Sequence, residues 1–262
     1  METEVALGEL IEIVEARIPA NLNSPKYARA EGRIERIVRQ YFEALEDYLS
    51  DEQWANAYYR HVESATSDME DFLDPILRTL SVRLRADLVG ELTDVYLSGS
   101  AEMTVWGKTA GGKAIAYEGP PVQQAIAYAE RHGAQLVTRM DEETKRRLAK
   151  VVSDGIQNKR GIDGIARDLR GTFDDMSRYR SKLIAKTETA DALGQAFEDR
   201  GKELGITHKE WVTVGDDRVS DGCAENEAAG VIPFNQPFPS GDMRPPRFPG
   251  CRCASAPSMG TA

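Results

Sequence analysis

Either side of a glycine-rich stretch at 98–121, apolar residues between Tyr27 and Gly205 return every three or four positions, and after Gly205 they stop doing so. A chain laid out this way is committed to a largely helical body followed by something built on other terms. Ile34, Ile37, Val38, Phe42, Leu45 and Leu49 define one face of a long amphipathic helix. Ahead of it, Val5, Leu7, Leu10, Ile11 and Val14 keep helical spacing until Pro19. Another run follows Pro75, with Ile76, Leu80, Leu84, Leu88, Leu92 and Tyr96 in four-residue steps. Residues 98–121 change character: Gly107, Gly111, Gly112, Gly119 and the pair Pro120–Pro121 predict a loop or linker.

Helices resume at Pro121 through Ala125, Ile126, Ala129 and Leu136. Thr138–Asp141 reads as a capping-type start for a further helix to about Asn158, with Asp141, Glu142 and Glu143 in its first turn. Gly161 sets off a shorter helix with the stripe Ile162, Ile165, Ala166, Leu169 and Phe173. A last long helix is predicted from about Ser177 to Leu204 through Leu183, Ile184, Leu193, Ala196 and Phe197, and Gly205 closes it. Beyond it Lys209–Val214 alternates like a strand, Gly215–Arg218 is a turn, and proline and glycine dominate 233–257. The fold class is therefore mainly α with a small α+β, loop-rich C-terminal module. A helical N-terminal region with its glycine-rich linker occupies 1–120; helices fill 121–205 and the small module 206–257.

Composition narrows the function classes. The chain has 262 residues, 41% of them hydrophobic, too apolar for global disorder and with no apolar run long enough to span a membrane. Its first residues, METEVALGELIEIVEARIP, are acidic from Glu2 and lack the basic region of a secretory signal. Three cysteines, all beyond residue 220, do not make a disulfide scaffold. The net charge of −10 excludes a general nucleic-acid-coating protein. The charge is graded, however: residues 139–186 carry 13 basic against 8 acidic groups. Any DNA contact would fall there, on Lys145, Arg146, Arg147, Lys150, Lys159 and Arg160, unless these simply form a solvated helix face. Gly107 to Ala114 nearly fits the phosphate-loop pattern, but Ala114 replaces the magnesium-binding hydroxyl and no strong strand precedes it, so an ATPase is rejected.

Three segments of the last third occur together: Ala185-Lys-Thr-Glu188-Thr at the head of the long helix; Lys209-Glu-Trp211 with Asp216-Asp-Arg218-Val-Ser-Asp-Gly-Cys223; and Pro245-Pro-Arg-Phe-Pro249-Gly-Cys251-Arg252-Cys253. The ordered set resembles the C-terminal domain of the phage Mu protein F-like head-morphogenesis family over about residues 125–255. The resemblance implies a minor capsid protein of a tailed bacteriophage. Such a protein acts in head assembly with the portal and major capsid proteins, in several copies per virion and with no membrane partner. It would reside in the head or at the portal vertex, and in the host cytoplasm during assembly. Contact with DNA during packaging or ejection is part of the same expectation. The rival readings are a DNA-binding ejection protein and a toxin-type enzyme carrying the same domain. Against an enzyme, the N-terminal half shows no catalytic cluster, and His61, His132 and His208 sit in no partner motif.

Two departures from the family pattern bear on the cysteines: Ser220 stands where a first Cys is frequent, and Phe248 where His is frequent. Cys223, Cys251 and Cys253 remain, and a closed tetrahedral zinc site would need an outside ligand such as His208 or Asp221. The alternatives are a disulfide from Cys223 to one of the other two, or free thiols; no other cofactor is implied. Glu188 is expected to pair with Arg218 or Arg252 and so dock the module on the long helix, with Trp211 packing on Leu193 or Phe197. The run Val231–Phe238 is expected to cover the module's other side.

Overall fold

The computed structural model describes residues 24–49, 67–115 and 119–259. The expected stripe from Val5 to Val14 and His61 lie outside these. In chain order the elements are α1 (Pro25–Tyr48), α2 (Ser67–Thr109), α3 (Val122–Gln157) and α4 (Ile162–Asp175). A π-helical stretch, Met176–Arg180, leads into α5 (Ser181–Glu203). After it come β1 (His208–Val212), α6 (Asp221–Ala228), β2 (Ile232–Pro233) and β3 (Ala254–Ser258). The predicted class, mainly α with a small α+β tail, is what the chain adopts.

Two compact units form, each from segments far apart in sequence rather than from consecutive halves divided near residue 120. One comprises 32–90 and 129–185 and is helical. Its core holds Ile34, Val38, Phe42 and Leu45 of α1, Leu84 and Leu88 of α2, Leu148 and Val152 of α3, and Leu169 and Phe173 of α4. The four-residue ladder predicted for α2 drifts: Leu73 and Leu77 are buried where Ile76 and Leu80 were expected, and only from Leu84 onward does the ladder hold. Each step of four overshoots the 3.6-residue turn by about 40°, so a strict ladder cannot stay on one face for five steps.

Within this unit Asp141 is not at a helix start. α3 runs uninterrupted from Val122, and Thr138 Oγ1 donates to the carbonyl of Ala134 one turn back. The Asp141 carboxylate accepts from Tyr41 Oη and Ser81 Oγ, both at 2.6 Å. Burial pushes its pKa above the ordinary aspartate value, which those two hydroxyls partly offset. The gap expected before Ser177 is likewise absent: α4, the π-helical stretch and α5 succeed one another without a break. The π-helical stretch shifts the phase of the face, and Leu183, expected in the core, is exposed.

The other unit comprises described residues of 1–31, 91–128 and 186–262. Residues 98–109, expected to be linker, are the last three turns of α2; only 110–121 is irregular. The helix persists because Met103 and Trp106 are buried at helical spacing, and Gly107 lies against Leu204 and Ile115. The phosphate-loop resemblance is thereby weakened further, since its first three residues, Gly107–Thr109, are helical rather than loop. After α5, the antiparallel sheet has the order β2-β1-β3, with Trp211 opposite Ser255 and Val212 opposite Ala254. The helix α6 has no counterpart in the sequence pattern, since eight residues with two buried, Cys223 and Asn226, leave almost no periodic signal.

Candidate functional site

The module after Gly205 is tied to α5 by a small set of contacts, all within one compact unit. Arg244 carries most of them. Its Nη1 donates to Asp191 Oδ1 at 2.9 Å, its Nη2 to Gln195 Oε1 at 3.0 Å, and its Nε lies 3.4 Å from Glu198 Oε2. Asp191, Gln195 and Glu198 follow one another at i, i+4 and i+7, so three acceptors on one helix face receive one guanidinium. Tyr128 Oη donates to the other oxygen of Asp191 at 2.9 Å. Beside this fork the backbone closes on the helix: a Cβ at Gly194 would fall 2.5 Å from the carbonyl oxygen of Pro245. One heptad on, a Cβ at Gly201 would meet the ring of Phe234.

Phe234 stacks on Phe197 at 5.6 Å between centroids, in a cluster with Met103, Trp106, Leu204 and Ile206. Trp211 was expected on this helix and is not there. It lies in a second cluster with Cys223, Phe238, Cys251 and Cys253, edge to face with Phe238 at 5.1 Å. The strand's alternation explains the exchange: Lys209 and Trp211 share the buried face of β1, and Phe234 and Phe238, from the run Val231–Phe238, divide the two clusters between them.

Lys209 sits between those aromatic rings, its Nζ 5.7 Å from the Phe234 centroid and 5.1 Å from that of Phe238, donating to the carbonyl of Met243 at 2.6 Å. Burial draws its ammonium down to about 8, against the opposing pull of Glu198 and with a small push from Lys202. Between that value and the ordinary lysine value the unfolded chain binds more protons, so stability rises with pH across the interval. We expect wild-type stability to gain about 2 kcal/mol from pH ~8 to ~10 relative to Lys209→Met, measured by denaturant unfolding. The comparison isolates the lysine from the buried tyrosines, whose raised values act in the opposite direction, and from the cysteines. A pH slope equal in the two proteins contradicts the assignment.

The three signature segments meet here. Thr187 Oγ1, in the first, accepts the backbone N–H of Gly250 in the third at 3.0 Å. Asp216, in the second, receives both terminal nitrogens of Arg252 in the third at 2.6 Å each. Arg218 donates to the same carboxylate at 3.2 Å. These bonds, that of Arg252 first, hold the Asp216 carboxyl well below the usual carboxylate range. Arg252 and Arg218 thus meet on Asp216 inside the module, and Arg244 reaches α5 through Asp191 and Glu198. Glu188 itself is buried.

Cys223 from α6 joins Cys251 and Cys253 from the tail, all three buried, unbridged and with their sulfurs within 4.8 Å of one another. The disulfide alternative is not realised. Neither His208, which contacts Thr207 Oγ1, nor Asp221 belongs to the group. The Cys253 thiol and the backbone N–H groups of Arg247 and Cys253 point at the Cys251 sulfur and hold its thiol down to about 5. Cys253 and Cys223 are raised, the first chiefly by its bond to Cys251 and the second by burial.

In the other unit, the basic segment is largely self-neutralised. Lys145 pairs with Asp74 at 2.9 Å, Arg146 and Arg147 both with Glu143 at 2.6 Å, Lys150 with Asp154 at 2.9 Å and Arg160 with Asp168 at 3.2 Å. Lys159 closes α3 in the left-handed conformation, φ 54°, a position where glycine is usual. Of these six residues none shares a compact unit with the cysteines.

Sequence reasoning missed Arg244, Asp191, Gln195 and the glycine notch. The notch had a signal: Gly194 and Gly201 lie a heptad apart in a helix, where each costs about 1 kcal/mol against alanine unless something packs there. Arg244 had none, being one arginine among proline and glycine.

Compared with known proteins, residues 146–256 match the family model described as Phage Mu protein F like protein. The match covers less than half of the chain, begins some twenty residues later than the motifs implied, and contains all three signature segments. Searches of curated proteins and of solved structures gave no match.

Proposed function

We propose that this chain is a minor head protein of a tailed bacteriophage that works by docking on other head components, the portal and major capsid proteins, rather than by catalysis or by coating DNA. The family match points to phage head morphogenesis. The observation that supports a docking role is that the signature residues are spent on holding a module together. Thr187 to Gly250 and Asp216 to Arg252 join the three segments to one another. A module of short strands and loops fixed on a helix presents a preformed surface, which suits assembly between unlike partners.

The arrangement of the basic segment favours a protein-facing role over a DNA-facing one. Five of its six cations have acidic partners within 4.0 Å, so binding phosphate would first require breaking those pairs. Six free cations would give a slope of log affinity against log salt near −5, about 0.9 per phosphate neutralised. We expect a slope shallower than about −2 for duplex DNA, unchanged by Lys145/Arg146/Arg147→Ala. A slope near −5 that falls to about half in the triple variant favours the ejection-type reading instead. Co-purification with the portal or major capsid protein on co-expression is the positive test of the proposal, and failure to associate with either overturns it.

A further inference from the structure

We propose that Cys223, Cys251 and Cys253 form a metal site for a thiophilic divalent cation, Zn2+, with an oxygen on the Ser220 side completing a tetrahedron. The inference stands apart from the head-assembly reading. It rests first on position. Three sulfurs from two segments 28 residues apart already lie within 4.8 Å of one another. In a tetrahedral site with Zn–S bonds of about 2.3 Å the sulfurs are about 3.8 Å apart, so the cluster needs only a small contraction.

It rests second on what surrounds the sulfurs. Trp211 is 1% exposed, and its indole N–H has no hydrogen-bond partner of ordinary geometry, an arrangement that costs about 1–3 kcal/mol in a folded protein. That N–H lies on the Cys253 sulfur. The Ser220 hydroxyl, also buried without a partner, lies on that of Cys223. Two backbone N–H groups, of Arg247 and Cys253, face Cys251. Neutral thiols are poor acceptors and do not need four donors; thiolates bound to a cation do, and such outer contacts fix ligand orientation. The orphaned indole and hydroxyl become satisfied once the sulfurs carry charge.

It rests third on need. The module's apolar cluster consists of Trp211, Phe238 and the cysteines themselves, with Val219 and Ile232 at its margin. A core of that size is usually reinforced by a staple, and here the cysteines are unbridged. Binding is balanced by proton release: three thiols give up three protons to the medium as the cation is taken up, leaving a site of net charge −1.

The test uses the full chain, reduced and stripped of metal, titrated with Co2+ alone and then with Zn2+. The expected result is one equivalent bound, with thiolate-to-cobalt charge-transfer bands and the intense visible bands of tetrahedral cobalt, both erased by Zn2+. Cys251→Ser lowers the charge-transfer bands by at least about a third, two thiolates replacing three. Ser220→Cys raises their intensity by about a third, four thiolates replacing three. Trp211→Phe keeps an aromatic ring in the cluster but loses the donor, and weakens Zn2+ binding roughly tenfold. Because Cys251→Ser can also disturb packing, the Ser220→Cys and Trp211→Phe variants carry the argument independently. A reduced, folded wild-type chain that shows no thiolate charge transfer with Co2+, or whose bands are unchanged in Ser220→Cys, overturns the proposal.

Discussion

Replacing Trp211 by alanine unfastens the C-terminal module while leaving the helices in place. The side chain is among the largest fully buried ones in the described residues and is the centre of a cluster otherwise made of three cysteines, Phe238 and two half-buried aliphatics. Truncating a tryptophan in such a setting costs about 3–5 kcal/mol. The module has no second apolar layer to absorb the loss, because its other large ring, Phe234, belongs to the cluster on α5. The expected result is loss of near-ultraviolet ellipticity and new protease cleavage within 213–250, with the far-ultraviolet helical signal nearly unchanged. Retention of wild-type protease resistance contradicts the packing described for Trp211.

Arg244→Ala has the second largest effect, and a different one. Its side chain is 15% exposed, and its partners Asp191 and Glu198 are 22% and 20% exposed. Removing the guanidinium leaves the Asp191 carboxylate with the Tyr128 hydroxyl, and Glu198 with Lys202, in poorly solvated positions. The cost is about 2–3 kcal/mol for a partly buried, charge-assisted fork. Because the loss falls on the contact between the tail and α5, it should appear as local opening rather than global unfolding. The three buried cysteines report it: in metal-free protein their labelling by a thiol reagent should accelerate roughly 30- to 150-fold. Arg244→Lys should recover little, since one ammonium cannot reach acceptors on two turns of the helix. Arg218→Ala, whose side chain is 75% exposed, should change labelling less than about twofold. Equal labelling of wild type and Arg244→Ala would remove Arg244 from the account.

Particular residues show where the sequence was legible. Four of the five residues in the expected stripe of α4 are buried, Ile165, Ala166, Leu169 and Phe173, with Ile162 at its start half-buried, because a short helix with one apolar face has few ways to lie. The strand at Lys209 and the switch at Gly205 were readable from alternation and from a left-handed glycine. Boundaries failed where tertiary burial overrode local signals. Gly107 did not end α2 because Leu204 and Ile115 cover it, and Asp141 did not begin a helix because two hydroxyls hold it within one. In the candidate site the signature segments were legible, but two residues that join them were not singled out: Thr187 beside Glu188, and Asp216 two residues before Arg218. A carboxylate's partner depends on which loop folds over it, and spacing along the chain carries no record of that.

The clamped module is what should bring the chain into a phage head. The most direct measurement is the amount of the chain retained in heads assembled by co-expression with portal and major capsid proteins, for wild type and Arg244→Ala, by quantitative mass spectrometry. Retention of the wild type with several-fold depletion of the variant is the predicted result. Heads that exclude the wild-type chain, or that retain both forms equally, would contradict it.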